Sequence, residues 1–156
     1  MFRKMRRHKQ EIPKDECIEI LKNEPRGVLA LLGDYDYPYA LPMTHVYVDG
    51  KIYFHGANEG HKNDAIKNSP KVSYCVMDKG VKQKDSWWYT FKSVIVFGKI
   101  RILADDDEKI DKLTYLGNKF FPTPEETENE INRMLDRTEV FEISIDHISG
   151  KIVREK

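Results

Sequence analysis

Two cysteines among 156 residues, with no Cys-x-x-Cys, leave this chain without a disulfide framework, a zinc ribbon or a dithiol redox motif. Cys17 lies in a helical pattern and Cys75 in a strand pattern, so both are expected as buried thiols in a reducing cytoplasm. No apolar run approaches the roughly 20 residues of a membrane span. The N-terminus, MFRKMRRHKQ, is basic but no apolar stretch follows it, which excludes a secretory signal. Charge of one sign is not in excess either. Lys+Arg and Asp+Glu both number 26, against the basic surplus of a general nucleic-acid binder. Rossmann G-x-G-x-x-G, P-loop and G-x-S-x-G patterns are missing. His45, His55 and His61 do not have zinc-site spacing. The acidic run Asp105-Asp106-Asp107-Glu108 lacks EF-hand spacing and reads as a helix start, with carboxylates at the positive end of the dipole. No metal site is expected.

What remains is a globular composition, 33% charged and 40% hydrophobic, of a length that suits one domain, 1–156, with one core. Residues 1–12 form a basic arm, expected as a solvated tail or a strap over the domain. Lys14–Asn23 reads as a helix, entered at Pro13 and closed before Pro25 and Gly27. Strands are expected at Gly27–Gly33, Tyr39–Val48, Lys51–His55, Lys71–Asp78, Ser93–Leu103 and Val140–Ile148, with Ser149-Gly150 as a turn. Gly98 inside the fifth strand suggests a bulge or a close backbone approach. Lys79–Asp85 is expected as a polar loop. Ile110, Leu113, Leu116 and Phe120 form the apolar stripe of a helix ended by Phe121-Pro122, and Pro124–Leu135 is a second, more polar helix. About six mostly antiparallel strands with short helices suggest a small barrel, mainly β.

Val48–Asn68 is the stretch with chemistry in it. Asp49-Gly50 is a two-residue hairpin signal. Its register sets Val46 against Tyr53 and Thr44 against His55, so Thr44 is expected beside His55. A glycine-punctuated loop, Gly56–Gly60, leads into a helix over His61–Asn68. Strand, glycine loop and helix start with a cation in the first turn is an arrangement that holds phosphate, Lys62 supplying charge and His61 a donor. An ordinary strand-to-helix connection with a surface lysine has the same pattern. His55 is either a hydrogen-bonded structural residue or a group that touches a ligand. His45, on the opposite face, is expected to be structural. Trp87 and Trp88 suit stacking on a planar ligand, an interface, or core packing.

Taken in order, MRRHKQEIP, PYALPMTHVYVDGKIYFHGANEGHK, FKSVIVFGKIRIL and ISIDHISGK resemble the Nim-type nitroimidazole-resistance proteins of the pyridoxamine 5′-phosphate oxidase-like flavin proteins. The likeness runs from Met5 to about Lys151, and YFHGANEGHK and KSVIVFG are its most specific parts. It implies an FMN-binding split β-barrel and a homodimer with flavin at the subunit interface. By position, Pro42, Met43 and Thr44 would run beside the isoalloxazine. His55, Gly56 and Ala57 would line it, His61 and Lys62 would hold the phosphate, and Ser93 would touch the cofactor. Trp87 or Trp88 would reach the partner's site. Pyridoxamine phosphate oxidases proper carry an arginine-rich C-terminal segment and often an Arg-Lys pair in the loop. Here stand His61-Lys62 and GKIVREK, so that activity is not expected. The expected function is two-electron reduction of a small electrophile such as a nitroaromatic, with NAD(P)H or another reductase as donor and His55 as the catalytic group. An FMN store or sensor without turnover, and a haem-binding split barrel, are the alternatives.

Overall fold

The computed structural model describes residues 1–154; Glu155 and Lys156, which end the charged tail, lie outside the described residues. Strand β1 (Glu11–Ile12) and helix α1 (Lys14–Asn23) precede β2 (Arg26–Leu32), β3 (Pro38–Thr44), β4 (Val46–Val48) and β5 (Lys51–Ala57). Helix α2 (His61–Asn68) leads to β6 (Lys71–Met77), β7 (Val81–Lys82) and β8 (Tyr89–Ile102). Helices α3 (Asp106–Phe120) and α4 (Pro124–Met134) stand before the final strand, β9 (Thr138–Arg154). Every pairing is antiparallel, in the order β3-β2-β6-β8-β9-β5-β4.

The two ends of that order are consecutive in the chain. β3 passes into β4 through His45 alone, so the sheet curls until its edges meet, as a split barrel. This corrects the single strand expected over Tyr39–Val48. The chain leaves β2 at Thr44, which pairs with Arg26, and joins β5 only from Val46, which faces Tyr53. Thr44 therefore does not face His55, whose ladder partner is Val140. The break is fixed from inside. His45 is fully buried, its Nε2–H donates to the Leu21 carbonyl at 2.7 Å, and its Nδ1 lies 3.0 Å from the Tyr74 hydroxyl. Lys119 donates to the His45 and Glu24 carbonyls at 2.9 and 2.8 Å. Burial, then the nearby Lys119 charge, lowers the His45 pKa to about 4, so the ring is neutral at pH 7. His45 is thus the structural histidine expected.

Alternation along β2, β6 and β8 turns Leu29, Leu31, Tyr74, Val94 and Val96 inward against Phe54, Phe141 and Ile143. Each such fully buried side chain contributes about 1.5–3 kcal/mol. A second cluster joins Val46, Val48, Tyr53 and Val140 to Leu113 and Leu116 of α3. Both helix starts are capped from sequence: Asp105 accepts from the Glu108 N–H, and Thr123 from the Glu126 N–H with Pro124 in the first turn. The expected α3 stripe is narrower than its spacing indicates, since Ile110 and Phe120 stay exposed. α4 crosses at Gly117, where a Cβ would meet the Thr127 methyl, so the buried face centres on Leu113, Leu116 and Gly117.

Among the described residues nine strands replace the six expected. The break at His45 adds one and the two-residue strands β1 and β7 add the others; β7 lies within the expected Lys79–Asp85 loop. Ser149-Gly150 is not a turn but part of β9, paired with Ile95 and Val94. Gly150 is small because Ile12 side-chain carbons stand 2.9 Å from where its Cβ would be. At Gly98 the β8–β9 register shifts, Asp146 of β9 being the extra residue, and the backbones approach closely, since a Cβ on Gly98 would collide with the Ser144 carbonyl. The basic arm is a strap: Phe2 stacks on Phe97 and His147 at centroid distances of 5.6 and 4.6 Å, on the outer face of the sheet. Among the described residues no helix is long and apolar enough to cross a membrane.

Candidate functional site

The phosphate-loop reading rests on the β5–α2 connection. β5 runs two residues past His55, pairing Gly56 with Glu139 and Ala57 with Thr138, so the loop proper is only Asn58–Gly60. Gly60 closes it at φ 118°, a conformation that favours glycine, and immediately precedes α2. No side chain caps this helix, and Asn63 instead reaches back with Nδ2 to donate to the Ala57 carbonyl at 3.2 Å. The first N–H groups of α2 are left open to an anion.

Lys62 turns back from the first turn of α2 over β5. Its ammonium stands 3.8 Å from the centre of the Phe141 ring, and a Cβ on Gly56 would collide with its Nζ. Lys62 thus lies directly across Gly56, in the space a side chain there would take. Burial lowers the Lys62 pKa to about 8, and Glu139 opposes that only in part. Among the described residues Lys62 forms no ion pair within 4 Å. A half-buried cation without a carboxylate, an uncapped helix start and a glycine cradle fit a phosphate group.

His61 points elsewhere. Its ring stacks on Tyr39 at 4.3 Å, and Nε2 accepts from the Asp34 N–H at 3.3 Å. The backbone of residue 61, rather than its imidazole, faces the open helix end. His55 lies on the outer side of β5 beside α3 and α4. Much of its ring is accessible, while the rest lines a cavity under those helices. Desolvation lowers its pKa, the Lys62 charge lowers it further, and Glu130 opposes both.

Pro42, Met43 and Thr44 lie on β3 at the barrel seam, where β3 comes back against β5. Met43 is buried, and its carbonyl accepts from the Tyr74 hydroxyl at 3.1 Å. Pro42 is exposed on this edge strand, where its missing N–H leaves no ladder bond unmade. Within one chain the structure brings His55, Gly56, Ala57 and Lys62 together. It does not bring Ser93 to them. Ser93 pairs with Lys151, whereas the His55 level of β9 is reached near Ile102, nine residues further along β8. That separation is on the order of 30 Å of strand. Trp87 and Trp88 pack edge to face at 5.6 Å in the β7–β8 connection, and Trp87 is 70% exposed, so neither belongs to the core. Sequence reasoning missed Phe141 as the ring beneath Lys62 and Glu130 as the carboxylate near His55. No local motif marks either one.

A search of curated proteins gives no match. Solved structures do match. A proposed 5-nitroimidazole antibiotic resistance protein from Bacteroides thetaiotaomicron superposes with a TM-score of 0.74 at 19% identity, covering 91% of this chain and 86% of that one. An FAD-binding protein from Mesorhizobium loti gives 0.69 at 23% identity over 92% and 97% of the two chains. An FAD and haem binding protein from Mycobacterium smegmatis gives 0.75 at 22% identity over 95% and 74%. At these identities the likeness establishes the split-barrel fold. The family model described as pyridoxamine 5′-phosphate oxidase matches residues 13–152, and the chain belongs to that family.

Proposed function

We propose that this protein binds flavin mononucleotide and uses it to reduce a small electrophile such as a nitroaromatic, in the cytoplasm. The observation that carries this reading is Lys62, a half-buried ammonium beside an uncapped helix start with no anion of its own. A phosphate there supplies the missing charge and accepts the free N–H groups of α2. Pro42, Met43 and Thr44 on the seam strand, with His55, Gly56 and Ala57 on β5, would flank the ring system. A bound flavin supplies two-electron chemistry. What the chain adds is position and protons: Lys62 fixes the phosphate, and neutral His55 offers one donor and one acceptor to a substrate. Similar structures include an FAD-binding protein and an FAD and haem binding protein, which supports a flavin-class ligand without choosing among these.

A homodimer accords with the outer face of the sheet. Val28, Cys75 and Ile95 form one row across β2, β6 and β8, and Met77 flanks it. Val28, Met77 and Ile95 are 39%, 56% and 38% exposed, an apolar patch suited to a second copy. Ser93 shares this face, so it would reach a flavin only across the interface.

Purified protein should take up FMN, seen as quenched flavin fluorescence on titration, and NAD(P)H or a reductase should bleach the bound flavin. Uptake of FAD or haem in preference to FMN would replace the cofactor. Binding without reduction by any donor would leave a flavin store or sensor. Loss of nitroaromatic turnover in His55→Ala, with FMN binding retained, is the expected sign of its catalytic role.

A further inference from the structure

The cavity that His55 lines is separate from the Lys62 cradle. It lies between the α3–α4 pair and the ends of β5 and β9, with a volume of about 160 Å³. Leu113, Leu116, Ile131, Met134 and Leu135 form its walls. The two hydroxyl protons at its edge are already committed: Thr138 donates to the Met134 carbonyl at 2.8 Å, and Thr127 to the Thr123 carbonyl at 3.4 Å. Glu130, at the rim, is engaged by Arg133 in three hydrogen bonds of 2.8–3.0 Å. His55 is left as the lining side chain with a hydrogen-bond donor to offer. Leu113, Leu116, Gly117 and Thr127 are buried whereas His55 and Phe121 are exposed, so the opening is at the histidine.

A close-packed protein seldom keeps a void of this size. A space of roughly 150 Å³ with apolar walls has room for about one benzene ring. Water gains little from walls that offer it no partners, and an ion would lose its hydration without replacement. A flat uncharged ring replaces only unfavourable apolar surface, and a single polar substituent would meet His55.

We infer that the α3–α4 cavity is a binding site for an uncharged molecule the size of one five- or six-membered ring, carrying a hydrogen-bonding substituent toward His55. The site stands without the flavin. Its use as a substrate pocket rests on the flavin-reductase reading, because His55 belongs to both the cavity and the strand that ends at the phosphate cradle.

Phenol, toluene and 1-naphthol are the probes, titrated by calorimetry into the full chain with and without FMN. Phenol is expected to bind at least tenfold more tightly than 1-naphthol, which is too large. It should also exceed toluene severalfold, a preference that disappears in His55→Leu. Met134→Phe and Ile131→Phe fill the space from α4 and should each weaken phenol at least tenfold while FMN titration stays unchanged. Far-UV circular dichroism reports folding, and two variants guard against one that fails to fold. Equal binding of phenol and 1-naphthol, no phenol binding by wild type, or unchanged phenol affinity in both folded variants overturns the inference. Phenol binding to a protein that takes no flavin would defeat the flavin reading and leave this site intact. Flavin binding without phenol binding would do the reverse.

Discussion

The two ends of the β5–β9 ladder treat charge in opposite ways. At one end Glu142, 1% exposed, faces Tyr53 and accepts from Tyr53 at 2.9 Å, Lys51 at 3.0 Å and Arg101 at 2.8 and 3.1 Å. Burial pushes its pKa up, but the hydrogen bonds from Arg101, Lys51 and Tyr53 outweigh that and hold it at about 2. Three residues further along β5, Lys62 crosses Gly56 with only an aromatic face beneath it, and burial lowers its pKa. The Glu142 end is complete and serves the fold. The Lys62 end has no ion-pair partner among the described residues, and a ligand carrying negative charge would complete it. Strong pKa displacement alone does not mark function; at Lys62 it stands beside an open helix start.

The comparison breaks most forcefully at Arg101. Arg101→Leu should destabilise the protein by about 3 kcal/mol, since it strips two hydrogen bonds from a buried carboxylate that keeps only Lys51 and Tyr53. Chemical denaturation reads this, and FMN affinity of the folded variant should not change. An unchanged midpoint would make the cluster ornamental. A similar loss is expected through His45 on acidification. Its folded pKa lies below the unfolded value, so stability is full above about pH 6.5 and falls by about 3 kcal/mol as pH drops toward 4. His45→Gln, measured across the same range, should flatten that slope.

At the other end, Lys62→Met should weaken FMN by about thirtyfold, or ~2 kcal/mol, the loss of one charge-assisted contact. Denaturation of the flavin-free variant should show stability equal to or above wild type, because an unpaired half-buried cation has gone. Lower stability would mean that Lys62 is structural, like Arg101. The smallest effect is pH-dependent. As pH rises through about 8, free Lys62 loses its proton, so FMN affinity should fall severalfold between pH 7 and pH 9. Lys62→Met should show no such decline.

Sequence legibility followed the range of the forces involved. The acidic helix start at Asp105, the Asp49-Gly50 hairpin, the special backbone at Gly98 and the helix opening at His61 are local and were readable. The break at His45 was not, because Tyr39–Val48 has an unbroken strand pattern. What splits it is Leu21, Tyr74 and Lys119, each more than twenty residues away. Ser149-Gly150 misled for the same reason: the pair has turn composition, but Gly150 is small to admit Ile12.

By itself the sequence determined that the chain builds antiparallel strands around one short loop with a lysine at a helix start. Propensity, alternation and turn chemistry act over a few residues, and that was enough. Only the tertiary structure decided that Lys62 folds back over Gly56 onto Phe141, that its charge has no ion-pair partner among the described residues, and that His55 turns toward α3 and α4 instead of Thr44. Burial and pairing of charge depend on which distant strands close around a group. No spacing along the chain encodes that.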